Sequence, residues 1–233
     1  MTERSSLVLV PGLLCTQDLY GPQIAGLGDL ADIVVADHTT APTMREIAAR
    51  VLDSAPRRFA LCGLSMGGYI AFEIMRQAPD RVTRLALLDT NATADPPDRA
   101  AFRRGLVEEA RQSGFGAVMA KLVPLFLNAR HQNDERLVGI AQRMAAETGA
   151  AAFARQQEAI ITRPDSRPTL ASIRCPTLVL VGRDDVLTPV AAHEEIAAGI
   201  AGSRLEIIED CGHLATLEQP ERVTAALREW LTA

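Results

Sequence analysis

Short apolar segments recur along this chain at nearly constant intervals, and this regular spacing constrains the fold more than any other feature. They begin at Leu7, Ile33, Phe59 and Leu85, each 26 residues after the last, and again at Thr177 and Leu205. Short segments without a regular polar alternation are typical of strands buried on both faces of a parallel sheet. Helical patterns separate most of them. The sequence therefore predicts an α/β fold with a six-stranded, mainly parallel, doubly wound sheet.

The interval between the fourth and fifth segments is much longer than the others. From Leu85 to Thr177 there are 92 residues, and helical patterns separated by Gly, Asn or Pro fill them. We predict a core formed by residues 1–91 and 168–233, with residues 92–167 inserted after the fourth strand as a helical cap. Such a cap would wall a pocket and exclude water, although a purely structural appendage is the alternative.

Composition excludes several classes of protein. Apolar residues make up 48% of the chain and charged residues 23%, as in an ordinary globular protein. A net charge of −5 argues against nucleic-acid binding. The apolar run near the amino end is too short for a signal peptide or a membrane span, and the four cysteines form no CxxC pair. We expect a cytoplasmic protein with reduced thiols, no membrane association and no metal site; the oligomeric state is not predicted.

A Gly-x-Ser-x-Gly motif stands at the junction of a predicted strand and a predicted helix. It consists of Gly63, Ser65 and Gly67, directly after the segment that begins at Phe59. Glycine is unfavourable inside strands and helices, so this cluster indicates a sharp turn that exposes the serine. Free N–H groups at the start of the helix would stabilise negative charge that develops beside it. Ser65 is therefore the candidate nucleophile.

The serine requires a base, because its hydroxyl is a poor nucleophile at neutral pH. The chain has four histidines, of which His131 and His193 fall in or beside helical patterns and are predicted to be solvated. His213 lies in a loop after the last strand, where the carboxyl edge of the sheet would bring it near Ser65. We predict that His213 is the base. An acid at the same edge would orient it, and Asp184 and Asp185 follow the fifth strand.

These motifs together resemble the α/β-hydrolase family over nearly the whole chain, from Leu7 to Leu231, except in the insertion, where the family varies freely. The stretch "GRDDVLTP" matches the family's Gly-x-x-Asp-x-x-x-Pro pattern, and "CGHLATLE" resembles its histidine loop. The resemblance implies Asp185 as the acid, with Asp184 a solvated or loop-capping residue. Asp89, after the fourth strand, occupies the place of the acid in some members and is the second candidate. The order of nucleophile, acid and base is also the family's.

The same resemblance implies two backbone donors for an oxyanion. One is the amide of Met66, the residue after the nucleophile, and the other is the amide of Leu13 in the loop "VPGLLCT". This loop lacks the histidine common in relatives, and the loop after the second strand lacks their Gly-x-Gly-x-Ser turn. His38 and Thr39 stand there instead, either beside the pocket or in a plain surface turn.

The resulting hypothesis is a serine hydrolase that cleaves small carboxylic esters through an acyl-serine intermediate, without cofactor or metal. The alternatives are an enol-lactonase of aromatic catabolism and a non-catalytic ligand-binding scaffold; the expected partner is a small-molecule ester or lactone. The residues expected to line the substrate pocket are Leu14, Phe126, Phe153 and Leu214. The cap also carries arginines whose usual place is solvent, although one could meet a substrate carboxylate: Arg103, Arg104, Arg111, Arg155 and Arg163.

Overall fold

Six parallel strands form one sheet in the computed structural model, which describes residues 4–233. The strands are β1 Ser5–Val10, β2 Ala31–Val35, β3 Phe59–Leu64, β4 Val82–Leu88, β5 Thr177–Gly182 and β6 Arg204–Ile208. Their order across the sheet is β2-β1-β3-β4-β5-β6, and every neighbouring pair is parallel. The predicted six-stranded sheet is confirmed, and it is parallel throughout.

Helices connect the strands and cover both faces of the sheet. They are α1 Gly21–Leu27, α2 Met44–Ser54, α3 Met66–Gln77, α4 Pro97–Ser113, α5 Phe115–Phe126, α6 Glu135–Ile161, α7 Arg167–Leu170, α8 Val190–Gly199, α9 Ala215–Glu218 and α10 Pro220–Thr232. Short 3₁₀ turns cover Gln17–Tyr20 and Pro79–Arg81. The side chain of Thr43 accepts a hydrogen bond from the Glu46 amide and caps α2, as expected for threonine at this position.

Strand β1 shows why the apolar segments do not alternate with polar residues. Leu7 and Leu9 pack into an apolar cluster with α1, α10 and the helices α4–α6, whereas Val8 and Val10 pack into a second cluster with α2, α3 and α8. Successive side chains of a strand point to opposite faces, and here both faces are covered. The sheet is therefore buried between two apolar layers.

The outer strands are less buried than the central ones because each has a free edge. Every residue of β3 and β5 is buried, but β2 and β6 at the two edges are partly exposed. Asp32 and Val34 of β2 are exposed, and Ile208 is the buried residue of β6. Charged residues at a sheet edge also disfavour pairing with another chain.

The long interval between β4 and β5 contains the helices α4, α5 and α6, which pack on one another. Gly114 separates α4 from α5, and α6 is kinked at Gly149, where φ is 74°. We refer to α4–α6 as the cap. The division into a core and a cap at residues 92 and 167 stays a prediction. No helix within residues 4–233 is both long enough and apolar enough to span a bilayer.

Candidate active site

The topology of the sheet creates a crevice at the carboxyl ends of β1 and β3. From β1 the chain crosses to β2 on one side, and β3 then pairs with β1 on the other side. The loops that leave β1 and β3 therefore diverge, and such a switch point is the usual binding site of an open parallel sheet. Gly12 follows β1 and Ser65 follows β3, and both line a cavity at this point.

Ser65 occupies a strained turn between β3 and α3. Its φ is 55° and its ψ is −113°, a conformation that non-glycine residues rarely adopt. A side chain at position 63 would collide with the backbone of Gly67, and a side chain at position 67 would collide with the backbone of Val10. Glycine is therefore required at both positions for β3 and α3 to meet at this angle. The turn places Ser65 directly before the first residue of α3.

Hydrogen bonds connect Ser65, His213 and Asp185 in one line. The Ser65 Oγ lies 2.8 Å from His213 Nε2, and His213 Nδ1 lies 2.8 Å from Asp185 Oδ2. An Nδ1–H that donates to the carboxylate leaves Nε2 free to accept the serine proton. The Asp185 Oδ1 accepts from the amides of Leu187 and Thr188 at 2.8 and 3.0 Å, which fixes the carboxylate. The arrangement is suited to proton transfer from serine to histidine.

The environment of Asp185 keeps it ionised. Burial alone would raise its pKa, but the charge of His213 and hydrogen bonds from His213 and Thr188 hold the pKa below its ordinary value. The Thr188 hydroxyl donates to Asp185 Oδ2 at 2.6 Å. A buried carboxylate in this position stabilises an imidazolium that forms beside it.

Asp89, the second candidate for the acid, is bonded to backbone amides. Its Oδ1 accepts from the Gly182 amide at 2.9 Å and its Oδ2 from the Ala215 amide at 3.4 Å. Burial, and then the negative charge of Asp185, raise the pKa of Asp89 well above its ordinary value. Asp89 thus joins the end of β5 to the loop that carries His213. Asp184 is exposed and accepts from the side-chain amide of Asn128 at 2.7 Å.

The histidine loop is held by a glutamate that sequence reasoning missed. Glu218 Oε1 accepts from the amides of Gly212 and Leu214 at 3.1 and 3.3 Å. Its Oε2 accepts from the Asn128 amide and lies 2.8 Å from His131 Nδ1. Glu218 therefore joins the His213 loop to the segment after α5, and the prediction that His131 is simply solvated is wrong.

His193 and His38 are buried, whereas His131 is half-buried. His193, predicted to be solvated, is 0% exposed and accepts a hydrogen bond from the Thr90 amide at 2.8 Å, and burial lowers its pKa to about 4. His38 is neither at the cavity nor in a surface turn. Its Nε2 lies 2.8 Å from the Gly12 carbonyl oxygen and 3.1 Å from Gln156 Nε2 of α6, and burial lowers its pKa.

The loop after β1 is fixed by hydrogen bonds from the amides of Leu14 and Cys15, and the amide of Leu13 stays free within residues 4–233. The Leu14 amide donates to Gln156 Oε1 at 3.2 Å, and the Cys15 amide donates to the Gly12 carbonyl at 3.1 Å. Leu14 has a φ of 62°, so the backbone turns sharply here. The Leu13 amide has no hydrogen-bond acceptor within residues 4–233. Met66 is the first residue of α3, so its amide has no acceptor within the helix.

The cavity between the strand ends and the cap has a volume of about 90 Å³. Phe126 and Leu214, two of the residues expected in the pocket, line it. The structure corrects the expectation for the other two. Leu14 is 1% exposed and belongs to the core cluster, and Phe153 is fully buried, with its ring 5.5 Å from that of Phe115. Both side chains are enclosed by apolar neighbours and do not reach the cavity.

No group of three or more His, Cys, Asp or Glu side chains within residues 4–233 is arranged to hold a metal ion. The groups gathered at the crevice are instead a hydroxyl, an imidazole and a carboxylate, beside two free backbone amides. A parallel sheet with a serine on a strained strand–helix turn defines a class of hydrolytic enzymes. A hydroxyl hydrogen-bonded to an imidazole that is in turn hydrogen-bonded to a carboxylate is the arrangement that a nucleophile, its base and an orienting acid require.

Comparison with known proteins agrees with this class. The family model described as "Alpha/beta hydrolase family" matches residues 7–226, and the chain belongs to that family. A protein of Rhizobium rhizogenes with the provisional name carbamate hydrolase RutD is 27% identical over 99% of this chain and 94% of its own length. A pimeloyl-[acyl-carrier protein] methyl ester esterase of Aromatoleum aromaticum is 28% identical over 77% of this chain and 76% of its own length.

Solved structures superpose over almost the whole chain. A thermophilic esterase from Thermogutta terrifontis has a TM-score of 0.88 and 31% identity, and the match covers 98% of this chain and 91% of the esterase. The enol-lactonase from Burkholderia xenovorans LB400 has a TM-score of 0.89 and 25% identity, with 99% and 92% covered. The fold is therefore that of the α/β-hydrolases, as the resemblance of the motifs implied.

Proposed function

We propose that this protein is a serine hydrolase that cleaves small carboxylic esters through an acyl-serine intermediate. The proposal rests above all on the continuous hydrogen-bonded line from Ser65 Oγ through His213 to Asp185, with both contacts at 2.8 Å. The similarity of the chain to a thermophilic esterase supports ester chemistry. The structural similarity to an enol-lactonase makes lactones the second candidate substrates.

In the first half-reaction, Ser65 Oγ attacks the ester carbonyl carbon while His213 Nε2 takes the hydroxyl proton. Asp185 stabilises the imidazolium through the bond to Nδ1. The amides of Leu13 and Met66 donate to the oxyanion of the tetrahedral intermediate. When the intermediate collapses, the imidazolium gives its proton to the leaving alcohol, and the acyl group remains on Ser65.

In the second half-reaction, water takes the place of the alcohol. His213 removes a proton from the water, which attacks the acyl carbonyl, and the same two amides stabilise the second oxyanion. Collapse of this intermediate returns the proton to Ser65 and releases the carboxylic acid. A lactone would follow the same course, except that its alcohol stays tethered to the acyl group.

The size of the cavity favours substrates with short acyl groups. One water molecule requires about 10–15 Å³ of such space, so a cavity of about 90 Å³ has room for roughly six to nine water molecules or for one short acyl chain. Leu106, Leu122, Phe126 and Leu214 make much of its wall apolar. A short alkyl chain fits these dimensions. A long-chain lipid would have to extend out of the cavity into solvent, past Phe102, which is 59% exposed.

Labelling with a fluorophosphonate probe tests whether the chain is an enzyme of this type. The wild type should be labelled and should hydrolyse p-nitrophenyl butyrate, while Ser65→Ala should lose both properties with its fold intact. Ser54→Ala, which changes an exposed serine at the end of α2, is the matched control and should retain both. Absence of labelling in the folded wild type would favour the non-catalytic scaffold. Parallel assays with butyrolactone and ethyl butyrate separate the lactonase from the esterase.

A further inference from the structure

One helix of the cap places two arginines in the wall of the cavity. Arg99, Arg103 and Leu106 follow one another at intervals of four and three residues along α4, so they share one face of that helix. All three line the cavity together with Ser65. Among the residues of the described chain 4–233 that line it, none is Asp or Glu. The cavity wall is therefore apolar and positively charged.

Within residues 4–233 the positive charge at this wall is only partly neutralised by carboxylates. Asp95 pairs with both Arg103 and Arg163, so one carboxylate serves two guanidinium groups. Arg99 donates to the Leu187 carbonyl oxygen at 3.1 Å and forms no ion pair with any carboxylate in residues 4–233. Asp95 is shared by two arginines and Arg99 has no carboxylate partner within residues 4–233, so this wall keeps a positive charge in a chain whose net charge is −5. Among residues 4–233, most of the five guanidinium donors of Arg99 have no acceptor.

A buried amide beside the arginines adds another free donor. Gln157 lines the cavity, and its Oε1 accepts from Arg103 Nη1 at 3.0 Å. This bond leaves the Nε2 group as the free end of the amide, and Nε2 is buried without a hydrogen-bond partner among residues 4–233. A buried donor without a partner is unfavourable, and an acceptor on a ligand would satisfy it. Arg99 and Gln157 thus supply donors next to an apolar cavity.

We propose that the ester substrate carries a carboxylate, and that Arg99, in the same cavity wall as Gln157, binds this group while Ser65 attacks the ester. This inference rests on the proposed esterase activity and narrows its substrate to half-esters of short dicarboxylic acids. The methylene groups between the two carboxyl functions would lie along Leu106 and Leu122. Guanidinium groups bind carboxylates through two parallel hydrogen bonds, which would also fix the distance from the charged end to the scissile bond.

Kinetics with matched methyl esters test the proposal. Monomethyl succinate, glutarate and adipate are compared with methyl hexanoate and dimethyl glutarate by the release of methanol. We expect the best half-ester to have a kcat/KM about 10- to 100-fold above that of the neutral esters, as for a charge-assisted hydrogen bond. Arg99→Met should reduce this ratio by about the same factor, and Arg99→Lys should reduce it less. Arg104→Met, an exposed residue of the same helix, is the matched control and should leave the ratio unchanged.

Binding of glutarate provides a readout that does not depend on turnover. Calorimetry on the wild type and Arg104→Met should detect glutarate binding that Arg99→Met weakens about tenfold or more, while pentanoate binds weakly to all three. The proposal would be overturned if glutarate and pentanoate bound equally well to the wild type. It would also be overturned if Arg99→Met and Arg104→Met lost the same amount of affinity for glutarate. Rapid hydrolysis of methyl hexanoate without preference for half-esters would refute the carboxylate site and leave the esterase standing. Glutarate binding without any hydrolysis would refute the esterase alone.

Discussion

The replacement Asp185→Asn isolates the charge of the acid from its shape. Asparagine has nearly the same size, so the loop after β5 and the hydrogen bonds from the Leu187 and Thr188 amides to position 185 can persist. What is lost is the negative charge 2.8 Å from His213 Nδ1, together with the acceptor at that position, where the asparagine amide would present a donor. At an effective dielectric constant of about 20, two unit charges about 4 Å apart interact by roughly 4 kcal/mol. Since each 1.36 kcal/mol changes a rate about tenfold, we expect kcat to fall about 10³-fold.

Two further aspartates provide controls for this variant. Asp184→Asn changes the exposed neighbour and should alter kcat less than about threefold, because Asp184 contacts Asn128 and not His213. Asp89→Asn should mainly reduce thermal stability, since Asp89 accepts hydrogen bonds from the amides of Gly182 and Ala215. The assay is hydrolysis of p-nitrophenyl butyrate, with circular dichroism to verify folding. A larger loss in Asp89→Asn than in Asp185→Asn, both folded, would refute the assignment of the acid.

Three other predictions follow from the contacts around the site. Gln156→Leu should lower kcat about tenfold with little change in KM. The Leu14 amide would lose its acceptor, and the loop after β1, which carries the Leu13 amide proposed for the oxyanion, would lose its support. An unchanged kcat would show that Gln156 does not position this loop. His193 has a pKa of about 4 in the folded protein, whereas a histidine in the unfolded chain has a pKa of roughly 6.5. This difference makes about 3 kcal/mol of the free energy of unfolding depend on pH. That stabilisation is complete above pH 6.5 and is lost as the pH falls to 4. The free energy of unfolding, measured by urea denaturation, should therefore fall less between pH 7 and pH 4.5 in His193→Gln than in the wild type. Acetyl and butyryl p-nitrophenyl esters should be cleaved faster than the palmitoyl ester, and best rates with lauroyl or longer chains would contradict the reading of the cavity.

The sheet was predictable because burial on both faces leaves a signal in each strand separately. A continuous apolar segment such as the one at Phe59 indicates a central strand without knowledge of its neighbours. The order of the strands has no such local signal, since the crossing from β1 to β2 on one side and the pairing of β3 on the other depend on how whole units pack. The sequence consequently predicted the number and direction of the strands and left their order open.

The juxtaposition of Ser65, Asp185 and His213 was predictable for a topological reason. Each residue follows a strand, and the carboxyl ends of parallel strands meet at one edge of the sheet. The supporting residues have no such rule. Gln156 reaches the Leu14 amide across 142 residues, and no local pattern indicates that contact.

Side chains inside helices were harder to interpret because periodicity does not reveal what a face packs against. His193 of α8 fits a solvated helix in sequence, yet it packs against the end of β4 and accepts from the Thr90 amide. The same ambiguity affects the pocket. Phe126 and Phe153 are both apolar residues of the cap, but Phe126 lines the cavity and Phe153 packs in the core. Arg99 was not among the cap arginines named from the sequence, because the sequence does not reveal which face of a cap helix meets the cavity.

The acyl-serine intermediate is the centre of the proposed mechanism, and mass spectrometry detects it directly. The protein is mixed with p-nitrophenyl acetate, quenched in acid within the first turnovers, and digested. We expect one acetyl group on the peptide that contains Ser65, assigned by fragmentation to Ser65 itself, and none at this position in Ser65→Ala. Steady hydrolysis with Ser65 unmodified at every time point, or an acetyl group on another residue whose replacement abolishes turnover, would contradict the mechanism.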